Sequence, residues 1–159
     1  MPRMRIRSAV IRDAEGVANL VNTAFGPERF FTAEDRTNPD KVRALLETGK
    51  FLLLEDSGSL VGYVELRGER GYFGLLSVDP SRQRSGHGSR LIGAAEDYCR
   101  SAGCRLLDLT LVNLRTELPA MYQRLGYREN GTEPFPAESK LPCHLVKMTK
   151  PLRGPSGLG

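Results

Sequence analysis

The stretch Val78-Asp79-Pro80-Ser81-Arg82-Gln83-Arg84-Ser85-Gly86-His87-Gly88-Ser89-Arg90-Leu91-Ile92 constrains this chain more than any other. An apolar strand carrying Leu75, Leu76 and Val78 runs into Pro80. A basic, glycine-spaced turn follows, and then a helix opens with Leu91, Ile92, Ala95, Tyr98, Cys99 and Ala102 at helical spacing. A strand–turn–helix unit of this kind presents unpaired backbone N–H groups at the positive end of a helix. That is a ready site for a phosphate. Gly86 and Gly88 carry no side chain, so an anion can approach the backbone closely. The loop is not a Walker A motif, because no Gly-Lys-Ser/Thr follows. Nor is it the dinucleotide fingerprint, because Gly-x-Gly-x-x-Gly and its acidic ribose ligand are missing.

The 159 residues suffice for one domain with a proper core, here expected to span residues 1–152 with a disordered tail at 153–159. No apolar run approaches the roughly 18 residues that cross a bilayer, and no signal core follows the N-terminus, so the expected location is cytoplasmic. The net charge is +4, with Arg82, Arg84 and Arg90 crowded at the glycine loop. That balance suits an anionic ligand. It also suits nucleic acid, but no basic strand interleaved with aromatics supports that. Cys99, Cys104 and Cys143 make an odd count without ligand-like pairing, which argues against a disulfide framework and against a zinc site. With only His87 and His144, a Ser-His-Asp triad is poorly supplied as well.

Met4 to Ser8 alternates and reads as a strand. Asp13 is placed to cap a helix carrying Val17, Leu20, Val21 and Phe25. Residues 27–37 read as a loop, and Asn38-Pro39 opens a second helix that stops near Gly49. Phe51–Leu54, Leu60–Leu66 and Tyr72–Val78 form an antiparallel meander through turns at 56–59 and 68–71. Arg105 to Val112 is a strand, Glu117 to Leu125 a short helix, and Tyr127 begins another strand. Residues 131–142 read as a Gly/Pro-rich excursion before a last strand, Cys143–Met148.

The spacing Gln83-x-x-Gly86-x-Gly88 after Val78-x-Pro80 resembles the acyl-CoA pyrophosphate loop of the GNAT superfamily of N-acetyltransferases. Tyr122-x-x-x-Gly126-Tyr127 resembles that family's later motif. Residues 50–150 carry most of the likeness, and the closing segment looks like that of bacterial small-molecule-type members. The resemblance implies a mixed, mostly antiparallel α/β sheet, splayed near its middle, with helices on both faces. It implies acetyl-CoA as co-substrate, no metal, and a small amine acceptor attacking the thioester directly in a ternary complex. The pyrophosphate would rest on Gln83, Arg84, Ser85, Gly86, His87, Gly88 and Ser89. Backbone groups of Leu76, Ser77 and Val78 would pair with pantetheine, and the Leu76 N–H would polarise the thioester carbonyl. Tyr122 would lie near the sulfur and serve as general acid. Asn113 would contact pantetheine, although its spacing to Tyr122 is wider than most members show; a turn-forming Asn fits equally.

The proton-removing group is where the sequence departs from the family. Tyr72 stands where histone-type members carry a glutamate. Glu65 on the preceding strand is the candidate base, with Glu69 nearby, and deprotonation through ordered water is the alternative. Glu28, Arg29, Phe30 and Phe31 would either line the acceptor pocket or cover the core. A non-catalytic CoA-binding module and a nucleic-acid-binding domain are the rival readings, and homodimerisation stays open.

Overall fold

Seven strands form one sheet in the order β1-β2-β3-β4-β5-β7-β6. They are β1 (Ile6–Ser8), β2 (Lys50–Leu54), β3 (Leu60–Arg67), β4 (Arg70–Val78), β5 (Leu106–Val112), β6 (Arg128–Pro134) and β7 (His144–Pro151). The helices are α1 (Ala14–Ala24), α2 (Pro39–Thr48), α3 (His87–Ser101) and α4 (Leu118–Arg124). The computed structural model describes residues 5–32, 35–54, 60–79 and 86–152, with His87 in its backbone alone. The expected turn at 56–59 and the tail lie outside them. Among the described residues all strand pairs are antiparallel except that of β5 with β4, the central strand of the seven.

The sheet is covered on both faces, which is why β2 reads as an unbroken apolar run. Phe51 and Leu53 point to one side, where they meet Ala14, Val17, Ala18 and Val21 of α1 and Val42 of α2. Leu52 and Leu54 point to the other, against Leu91, Ile92, Ala95 and Cys99 of α3 and Tyr122 of α4. The α1 set stands at i, i+3, i+4 and i+7 and the α3 set at i, i+1, i+4 and i+8, each a single apolar stripe of a half-buried helix. Each fully buried Leu, Ile or Phe contributes about 1.5–3 kcal/mol. A Cβ on Gly62 of β3 would come within 2.8 Å of the Phe73 ring and 2.9 Å of a Leu91 methyl, so only glycine lets α3 seat this closely.

Local signals performed as their chemistry requires, with three differences. Asn38 caps α2 by accepting from the Lys41 N–H at 2.8 Å. Asp13 does occupy the position before α1, but its carboxylate turns back to the Val10 N–H at 2.7 Å and to Arg7 at 2.9 Å. Those donors hold its carboxyl at about 2. The loop after α1 contains a 3-10 turn, Gly26–Phe30. Third, the excursion begins later than 131: β6 continues to Pro134, pairing Thr132 with Val146 and Glu133 with Leu145 across a register shift. Pairing overrides the weak strand propensity of Gly131 and Pro134, and an edge strand tolerates both. β7 then inserts between β5 and β6, matching Leu106 with Pro151 through Val112 with Leu145.

Candidate active site between diverging strands

β4 and β5 pair only at Arg70–Tyr72 against Leu106–Asp108, and the strands separate beyond that point. The cause lies on the other edge of β4. Val61 pairs with Ser77 and Tyr63 with Gly74, so Leu75 and Leu76 together oppose the single residue Gly62. This is a β-bulge, which bends and overtwists the strand that carries it. Leu75 takes the left-handed backbone at φ 53°, a conformation that costs a branched residue roughly 1–2 kcal/mol. The Ser77 hydroxyl braces it by donating to the Leu75 carbonyl at 2.9 Å.

A cavity of about 550 Å³ fills the opening. Gly86, Gly88 and Ser89 at the start of α3 line one end. Leu76 and Val78 of β4 and Leu109–Val112 of β5 form its walls. Tyr122, Met121 and Leu118 of α4 close it from the side, and Glu28, Arg36 and Arg115 stand at the far end. Gly86 is the residue before α3 and holds φ 83°, which any side chain would strain.

Tyr122 is 5% exposed, and its ring meets Tyr127 edge-on at 5.7 Å. Burial pushes the Tyr122 phenol well above its ordinary value, so it stays neutral and able to donate. Behind it, Tyr127 donates to Glu96 at 2.9 Å, and Lys150 donates to the same carboxylate at 2.9 Å. That buried network joins α3 to β7 and holds the Tyr127 ring on which Tyr122 leans.

At the other end, Glu28 is 3% exposed. Its Oε2 accepts from Arg115 Nη1 at 3.0 Å, while its Oε1 is buried with no hydrogen-bond partner among the described residues. Desolvation raises the Glu28 carboxyl above its ordinary value, against the opposing pull of Arg36 and Arg115. Arg115 also holds Glu117, Nε to Oε2 at 3.1 Å.

A family model, Acetyltransferase (GNAT) family, matches residues 15–127, more than half of the chain. The chain belongs to the GNAT family of acetyltransferases. As a member it is an acyltransferase, of a family that uses acetyl-CoA. An uncharacterized N-acetyltransferase of Bacillus subtilis (strain 168), YhfO, is 28% identical over 80% of this chain and 91% of that protein. A mycothiol acetyltransferase of Amycolatopsis mediterranei (strain U-32) is 27% identical over 77% of this chain but only 45% of the relative. In fold, the ribosomal-protein-S18-alanine N-acetyltransferase of Escherichia coli superposes with a TM-score of 0.76, 18% identity and 99% of both chains covered. The structure of smu.2055 from Streptococcus mutans UA159 does so at 0.79, with 18% identity, over 94% of this chain and 100% of that one.

In this GNAT acetyltransferase the sequence-derived candidates separate into groups. Leu76, Val78, Gly86, Gly88, Ser89 and Tyr122 line the cavity. Gln83, Arg84 and Ser85 lie outside the described residues, and the His87 backbone opens α3. The Ser77 side chain is buried in the bulge. Asn113 does not line the cavity; its side-chain Oδ1 accepts from the His144 N–H at 2.9 Å and ties β5 to β7. Glu65 is also absent from the lining and is paired with Arg67 at 2.6 Å. Tyr72 does line it, with its hydroxyl 3.3 Å from Thr110 and Arg67 stacked 4.4 Å from its ring. Arg36 and Arg115 carry no motif signal. They join the site only because the fold brings distant segments to Glu28. Among the described residues no His/Cys/Asp/Glu group is arranged to hold a metal, and no helix is long and apolar enough to cross a membrane.

Proposed function

We propose that this enzyme moves the acetyl group of acetyl-CoA to a primary amine of a small acceptor by direct attack. The observation that carries the proposal is the parting of β4 from β5 over a cavity that joins the α3 N-terminus to Tyr122 and Glu28. The residues present suit the co-substrate. Glycine-bearing backbone at a helix start offers N–H donors to a pyrophosphate, and an unladdered strand edge offers pantetheine a β-like partner. Gln83, Arg84, Ser85, Gly86, His87, Gly88 and Ser89 take the pyrophosphate end, and Leu76 to Val78 the pantetheine. The Leu76 N–H supports the negative charge that develops on the thioester oxygen. Tyr122 donates a hydrogen bond to the departing thiolate.

The acceptor ammonium loses one proton before attack. A C–N bond then forms, the C–S bond breaks, and the nitrogen loses a second proton. Of the two protons released, one ends on sulfur and one in solvent. Cys99 and Cys104 are buried and absent from the cavity lining, which favours direct transfer over an acyl-cysteine route.

Calorimetric titration with acetyl-CoA, followed by CoA release over a panel of amines, tests the reading. Saturable binding with intersecting initial-velocity lines is expected. Binding without turnover on any amine would make the chain a CoA-binding module. Parallel lines would replace the ternary complex by a covalent intermediate.

A further inference from the structure

A second cavity, of about 220 Å³, adjoins the first and shares Phe25, Glu28 and Arg36 with it. Its outer wall is the segment after β6, where Phe135 meets Phe31 edge-on at 6.4 Å and the Lys140 N–H donates to the Phe31 carbonyl at 2.6 Å. Glu28 therefore stands where the two cavities meet. The charges around it are unevenly matched. Arg29 is neutralised by Asp35 at 2.7 Å. Arg36 stacks on the Phe25 ring at 4.9 Å and has no carboxylate partner among the described residues. Lys41, also on the wall, has none either; of the carboxylates lining this cavity, Glu28 attracts Arg36 without a direct ion pair, Asp35 is taken by Arg29, and Glu138 is exposed. Among the described residues, the junction thus holds one buried carboxylate oxygen without a donor and one guanidinium that is drawn toward Glu28 but forms no direct ion pair.

A buried carboxylate oxygen without a partner is costly, and an ammonium satisfies it. A guanidinium stacked on an aromatic ring is oriented to take a carboxylate or phosphate side-on. We propose that the acceptor is a zwitterionic primary amine, its ammonium on Glu28 and its anionic group on Arg36, seated across the junction of the two cavities. This rests on the acetyl-transfer reading above and narrows it to amino-acid-like acceptors. Arg115 acts as a positioning residue: it holds Oε2 of Glu28 and leaves Oε1 for the ligand. Simple amines and peptide N-termini lack an anion next to the amine, so they leave Arg36 unused.

The test compares several L-amino acids with their own carboxamides, using the full chain and acetyl-CoA, with CoA release as readout. The amino acids are expected to exceed their carboxamides in kcat/KM by about tenfold or more, the worth of one charge-assisted contact. Arg36→Met, which keeps a cover on Phe25, is expected to bring that ratio within about threefold. Glu28→Gln is expected to lower kcat/KM for both members of a pair by about 100-fold, with acetyl-CoA affinity within about twofold of the parent. Equal use of carboxamides, a ratio unaffected by Arg36→Met, or turnover of no amino acid by a chain that binds acetyl-CoA would each overturn the assignment. If Glu28→Gln loses acetyl-CoA binding, Arg36→Met decides. Failure of the unmodified chain to bind acetyl-CoA would instead remove the acetyl-transfer reading itself.

Discussion

Glu28 and Arg115 are 87 positions apart in the chain and 3.0 Å apart in the structure. The contact links the 3-10 turn after α1 to the segment between β5 and α4, across the mouth of the cleft. One element stands on one side of the cleft, and the other leads into α4, which carries Tyr122. Their pairing closes the cleft at the end opposite the α3 N-terminus.

Glu28 makes stability depend on pH in a direction that can be worked out. Its folded-state carboxyl titrates above the ordinary value of 4.5 because burial disfavours the charge. Its stabilising contribution is therefore complete below pH 4.5 and is lost as the pH rises through the raised folded-state value. Glu28→Gln does not titrate. The melting temperature of the variant minus that of the parent should grow steadily as the pH rises from 4.5 toward neutrality. Melts across that range check it, and a constant difference would contradict it.

Tyr122→Phe removes the hydroxyl while keeping the ring that rests on Tyr127. A fall in kcat of about 100-fold is expected, with acetyl-CoA affinity little changed. Steady-state kinetics and calorimetry read the two separately. Retained kcat would show that Tyr122 serves only packing.

Glu96→Ala deletes the carboxylate shared by Tyr127 and Lys150 and strands both donors. It should cost about 2–4 kcal/mol in urea unfolding, and Glu96→Gln about half as much. Loss of less than about 0.5 kcal/mol would mean that water replaces the carboxylate fully.

The cysteines should differ sharply in reactivity. Burial pushes the Cys99 thiol up to about 12, and Cys104 is buried, whereas Cys143 is half-buried. Iodoacetamide at pH 8 should label Cys143 alone in the folded protein, and Cys143→Ser should leave turnover unchanged. Rapid labelling of Cys99 seen by mass spectrometry would indicate opening between α3 and the sheet.

Local chemistry made much of the fold legible. Asn38 before Pro39, Gly103 after α3 and the largely apolar run from Leu60 to Val64 each act within a few residues. The end of β4 at Val78 and the opening of α3 after Gly86 at φ 83° belong to the same class, since each is set by local backbone chemistry. Asn113 and Glu65 were harder, because a side chain's role depends on which neighbour claims it. His144 claims one and Arg67 the other.

Sequence by itself determined a strand that ends at Val78, a helix that opens after Gly86, and Tyr122 four positions before Gly126. These are short-range patterns, set by backbone sterics and helix-end hydrogen bonding. Tertiary structure alone decided the other end of the cleft. The bulge at Leu75, the insertion of β7 beside β5, and the meeting of Glu28, Arg36 and Arg115 all arise from pairing and burial between segments far apart in the chain. No local pattern encodes them, because their energies exist only once the sheet has formed.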